Sequence, residues 1–174
     1  MKTENILVLG VGNILMSDEG AGVYAVRKLE QSFTFSKNVT LLDGGTLGMR
    51  LLHPISCATH LIVADTAIRG GAKGTVSKLS VKDIGPGISL KNSMHQLSFQ
   101  ETLAMAEMMG FLPKTVIIAI EPADITTMST ECTPEIAAGI ETMCSYVLEE
   151  IRAAGGEWEN CACVGCVPAS PELM

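Results

Sequence analysis

Ile6-Leu7-Val8-Leu9, followed at once by Gly10-Val11-Gly12-Asn13, is the stretch on which the fold turns. An unbroken apolar run ending in glycine reads as a strand buried on both faces, because a strand with one wet face alternates. From Glu19 to Glu30 the apolar positions Val23, Val26 and Leu29 recur at three-residue spacing, which predicts an amphipathic helix after the glycine loop.

Outward from this strand–loop–helix start, the pattern repeats. Residues 39–43 (VTLLD) predict a second strand and 46–52 a short helix. Residues 60–65 (HLIVAD) predict a third strand, the most strand-like of the set. Residues 75–80 alternate weakly and read as an edge strand after the Gly70-Gly71 turn. Ser98 with Glu101 predicts a capping box ahead of a helix running towards Met109. Residues 114–120 (KTVIIAI) read as another buried strand. The last helix has Thr133 as its N-cap and Pro134 in its first turn. Ile136, Ile140, Met143, Val147 and Ile151 share one face of it, and Gly155-Gly156 stop it. Strands alternating with helices imply an α/β fold with a mostly parallel sheet covered on both sides. Residues 1–156 read as one domain, and 157–174 as a flexible, cysteine-containing tail.

Bulk composition narrows the function. A length of 174 residues suits one domain, and 47% hydrophobic residues with only 4% aromatics imply a core of aliphatics, alanine and methionine. A net charge of −7 argues against nucleic acid or an anionic membrane as partner. The longest uncharged stretch, residues 51–64, is too short to span a bilayer. The lead MKTENILVLG has no secretory pattern, so a cytoplasmic protein is expected. Its six cysteines are then not disulfide material. Cys57, Cys132 and Cys144 are expected as buried thiols. Cys161, Cys163 and Cys166 form C-x-C-x-x-C, one ligand short of a closed zinc site. A tail with incidental thiols is the plainer reading.

The Gly10-Val11-Gly12 loop invites a dinucleotide site, but the sixth fingerprint position is Leu15 rather than glycine. Asp18 and Glu19 also stand where a pyrophosphate would sit, and would repel it. Asp43, a possible ribose ligand, is the one point in favour. Asp18 reads as a cap on its own helix. In a doubly wound sheet the crevice lies beyond the strand C-termini where the winding reverses, flanked by the first and third strands. Glu19 follows the first strand, Asp65 closes the third, and His95 stands in a loop before the capped helix. Two carboxylates and an imidazole suit a borderline divalent metal such as nickel, zinc or iron. His53 and His60 lack such a context and read as structural. The chain has neither HExxH nor a GxSxG elbow, which excludes a standard zincin or serine hydrolase.

The runs GVGNILMSDEGAGVYAV (10–26), LLDGGTLGM (41–49), HLIVADTA (60–67) and SMHQLSF (93–99) together resemble the nickel–iron hydrogenase maturation endopeptidases. The resemblance is collinear from residue 5 to about residue 153. It implies a three-layer α/β/α fold with a mixed five-stranded sheet, in which 75–80 or 114–120 runs antiparallel. It implies an endopeptidase that removes the C-terminal extension of a hydrogenase large-subunit precursor after nickel insertion, the nickel arriving with the precursor. By motif position the metal-contacting residues fall on Glu19, Asp65 and His95. The metal, or one of the carboxylates Asp65 and Glu19, would activate water, with Asp43 in reserve as base. Two other readings stay open: a non-catalytic nickel chaperone, which would leave the precursor's length unchanged, and a nucleotide-dependent α/β enzyme.

Overall fold

The computed structural model describes residues 4–83 and 94–161, and for residues 94–98 the course of the backbone. In chain order the elements are β1 (Ile6–Val11), α1 (Ala21–Ser32), β2 (Phe33–Phe35), β3 (Val39–Gly45), α2 (Leu52–Ser56) and β4 (His60–Thr66). After these come β5 (Val76–Ser80), α3 (Met94–Met108), β6 (Lys114–Ile120), α4 (Pro134–Ala153) and β7 (Trp158–Asn160). Single 3-10 turns, Ser17–Gly20 and Gly48–Leu51, lead into α1 and α2.

Five strands form one sheet in the order β3-β1-β4-β6-β5. All pairings are parallel except β5 with β6, so the antiparallel strand is the edge strand β5. Its exposed alternation suits an edge: only Leu79 is buried, whereas the second half of β6 is buried throughout. Side chains leave β1 alternately to two cores, as the period of two requires. Ile6 and Val8 join α1 and α4 through Val26, Leu29, Ile140, Met143 and Val147. Leu7, Leu9 and Val11 join α2 and α3 through Ile55, Phe99 and Leu103. The result is the expected three-layer α/β/α arrangement.

Three local expectations change. α3 starts at Met94, so Ser98 and Glu101 lie inside it rather than at its cap, and His95 is in its first turn rather than in a loop. Once the Phe99–Leu103–Ala106 face docks, each further residue of helix adds a backbone hydrogen bond, and that outweighs one capping box. Cys57 is exposed at the C-terminus of α2, while Cys132 is half-buried and only Cys144 joins the core. Burial pushes the Cys132 and Cys144 thiols up to about 11, where they stay protonated at neutral pH.

The start of the supposed tail is ordered. β7 pairs antiparallel with β2, and the Trp158 ring meets Phe33 edge-on at 5.0 Å. Arg152 lies over the same indole at 4.9 Å, and the Cys161 N–H donates to the Ser32 carbonyl at 2.9 Å. Aromatic packing between segments more than a hundred positions apart thus extends the domain past residue 156. Cys163 and Cys166 lie outside the described residues. Among the described residues no helix is long and apolar enough to cross a membrane.

Candidate active site

Because β1, β3, β4 and β6 run parallel, their C-terminal ends share one rim. The chain turns from β1 to β3 on one side and to β4 on the other, so the winding reverses between β1 and β4. Both sequence-predicted carboxylates stand at that crevice. Glu19, in the turn after β1, is 2% exposed, and Asp65, next to last in β4, is 1% exposed.

Glycine explains how a loop residue comes so deep. Gly12 has φ +138°, and a side chain there would collide with the Glu19 carbonyl oxygen. Gly22 in α1 lies so close to the sheet that a Cβ would strike the carbonyl oxygens of Val11 and Ala64. The glycines therefore press the turn and α1 onto β1 and β4.

Asp18 does not cap its own helix. Its buried carboxylate reaches across to the β6–α4 connection and accepts from the N–H groups of Ala123 (2.9 Å), Asp124 (2.7 Å) and Thr133 (2.7 Å). It also accepts from the Thr133 hydroxyl at 3.0 Å, so Thr133 stands at the N-cap of α4 with its side chain committed elsewhere. The Asp18 carbonyl accepts from the Thr66 hydroxyl at 3.0 Å, beside Asp65. Ser17 adopts φ +44°, a left-handed conformation costing about 1–3 kcal/mol. Its N–H donates to the Ser129 carbonyl at 2.8 Å, so the same cross-loop contacts hold it there.

Asp65 has far less support. The Thr66 N–H donates to it at 2.7 Å. Burial pushes its carboxyl up to about 8; the Thr66 N–H opposes this and the negative charge of Glu19 adds to it. Two buried carboxylates that repel each other are stable when one keeps a proton or a cation comes between them. The pair therefore fits a positively charged partner. Among the described residues no group of three His, Cys, Asp or Glu side chains is arranged to hold a metal ion. The third predicted ligand, the His95 side chain, lies outside the described residues.

Asp43 reaches the same rim on β3, but one of its carboxylate oxygens accepts both Arg27 Nε (3.0 Å) and Nη2 (2.8 Å). His60 is at the opposite rim, 3.2 Å from Glu4. One buried acid escaped the sequence reading. Glu121, directly after β6, accepts from the N–H groups of Arg69 (2.7 Å) and Gly70 (3.1 Å). It anchors the β4–β5 loop and, with Ala67, Thr75 and Ser77, lines a cavity of about 260 Å³. An acid ending an apolar run was the available signal, the same one that marks Asp65.

Known proteins match this architecture closely. A family model described as hydrogenase maturation protease matches residues 23–150. The hydrogenase 2 maturation protease of Escherichia coli is 37% identical over 154 residues, which is 87% of this chain and 93% of the relative. The hydrogenase expression/formation protein HupD of Rhodobacter capsulatus is 34% identical over 174 residues, 99% of this chain and 83% of the relative. The solved structure of the hydrogenase maturating endopeptidase HybD from E. coli superposes with a TM-score of 0.82 at 35% identity, covering 91% of this chain and 98% of that one.

Proposed function

The chain belongs to the hydrogenase maturation protease family, and on that premise we propose that it removes the C-terminal extension of a nickel–iron hydrogenase large-subunit precursor. In this reading the precursor's nickel is part of the substrate, recognised by Glu19, Asp65 and His95, and cleavage waits for its insertion. The observation that carries the reading is the Glu19–Asp65 pair. Two carboxylates, each at most 2% exposed, share one crevice, and a cation between them would relieve the repulsion that burial sharpens.

The docked metal centre would hold the scissile peptide at the rim. A water there would lose its proton to one of the two carboxylates while adding to the peptide carbonyl. That carboxyl would return the proton to the peptide nitrogen as the C–N bond breaks and the C-terminal peptide leaves as an amine. Glu19 and Asp65 suit that role better than Asp43, whose carboxylate is engaged by Arg27. The reaction belongs in the cytoplasm, where a metal-loaded precursor is assembled.

The test is to incubate the protein with nickel-loaded and nickel-free precursor and weigh the product, beside Glu19→Gln, Asp65→Asn and His95→Ala variants. A defined C-terminal peptide should be lost only with wild type and only from the loaded precursor. An unchanged mass with a cognate loaded precursor would overturn the reading. Nickel movement without cleavage would leave a nickel chaperone in its place.

A further inference from the structure

Exposed apolar side chains scattered singly over a surface need no explanation. Here they are concentrated. Among the described residues the exposed large hydrophobics are Leu15, Leu47, Met49, Met108, Met109 and Met128. Four of these six belong to loops leaving parallel strands at their C-terminal ends: Leu15 after β1, Leu47 and Met49 after β3, Met128 after β6. That is the rim holding Glu19 and Asp65. Met108 and Met109 close α3 just ahead of β6, which puts them at the opposite rim.

The loops of the collar are pinned in place. The Ser129 N–H donates to the Leu15 carbonyl at 3.0 Å, and Met16 and Ser129 form an isolated parallel bridge. Leu15 and Met128, one residue before each bridge partner, therefore leave it on the same side. The Gly12 N–H donates to the Gly45 carbonyl at 3.1 Å, tying the loop after β1 to the loop after β3. The Leu47 N–H returns to the Gly44 carbonyl at 2.9 Å, and the Thr102 hydroxyl lies 3.6 Å from the Met49 sulfur.

Resting on the proposed function, we infer that this collar docks the folded body of the precursor around its metal centre. At the middle of the collar are two buried carboxylates, which favour a positive partner; around them stand four exposed apolar side chains. A hydrated cation alone has no use for the apolar ring, and an acidic peptide is repelled by the pair. A protein surface that presents a metal cation in an apolar setting complements both. The unbranched methionines suit such a contact, since they adapt to an irregular partner.

The test uses Leu15→Glu and Met128→Glu, singly and together, with Met108→Glu as the control from the opposite rim. Leu15 is 56% and Met128 83% exposed, so these variants should fold as wild type does. With nickel-loaded precursor, each collar variant should raise KM about tenfold with kcat unchanged, as loss of one well-placed apolar contact does. Met108→Glu should match wild type. An unchanged KM in the double variant, with active wild type, would overturn the collar and leave the protease reading intact. A loss confined to kcat would overturn it as well. So would a wild-type dimer in sedimentation that the double variant splits, since the collar would then face a second copy of the chain. Wild type that leaves the loaded precursor uncut would overturn the protease reading, and the collar would fall with it.

Discussion

Asp18 and Glu19 are neighbours in sequence and both are buried at the same rim, yet their surroundings differ. Asp18 and, on the far side of the crevice, Glu121 accept backbone N–H groups from a second loop. Glu19 faces Asp65, and Asp65 has a single short bond to its own neighbour together with a like charge nearby. A carboxylate ringed by donors is a rivet. A buried carboxylate that faces a like charge, as Asp65 does, gains from a cation.

The contrast is broken most directly at Asp65. Asp65→Asn and Glu19→Gln should each lower precursor processing at least about a thousandfold, or about 4 kcal/mol of barrier. In calorimetry above pH 8, where Asp65 ionises, neither should melt below wild type, because either change removes one member of a repelling pair. If either variant kept its activity, the division between rivet and reactive acid would be wrong.

Acid–base titration sharpens the same point. The folded protein raises the Asp65 pKa from 3.8 to about 8, so the native state holds that proton more tightly than the unfolded chain does. By linkage, its contribution to stability is full below pH 3.8 and is lost as the pH rises towards 8. Asp65→Asn cannot ionise. Its stability relative to wild type should therefore climb across that window, by up to about 6 kcal/mol, followed by denaturant unfolding at several pH values. A constant difference would mean that Asp65 is not perturbed.

The rivets should fail in the opposite manner. Asp18→Ala orphans four donors at once and should cost about 2–3 kcal/mol of unfolding free energy. The smallest effect is expected at Glu121→Gln. There the amide keeps one acceptor and turns its NH2 towards the other backbone donor, costing about 1 kcal/mol while processing continues. A large loss of activity with full stability at Glu121 would move it into the reactive class.

Much of this was readable before any coordinates. β1, β4 and β6 announce themselves because strands buried on both faces carry unbroken apolar runs. Glu19 and Asp65 stand out because each is an acid following directly on such a run and its loop. The long-range pairs were not legible. β2 and β7 are three residues each, too short for a periodic signal, and they meet only through Phe33 and Trp158. Asp18 looked like a cap because its real partners are 105 to 115 positions away, beyond any local pattern. Cys57 was expected inside because its neighbours are apolar, but five residues of α2 bury only Ile55. Which strand runs antiparallel stays open between β5 and β6 in the sequence, because pairing direction belongs to the neighbour as well as to the strand.

The bond from Asp18 to Thr133 also sets an order of events while the chain is being made. The turn that carries Glu19 leaves the ribosome early, but the groups that clamp it come from residues 123, 124 and 133. A nascent chain that has not reached Thr133 already contains Glu19 and Asp65 but lacks the frame that sets them side by side. The Glu19–Asp65 pair is thus assembled only once the chain has been made past Thr133.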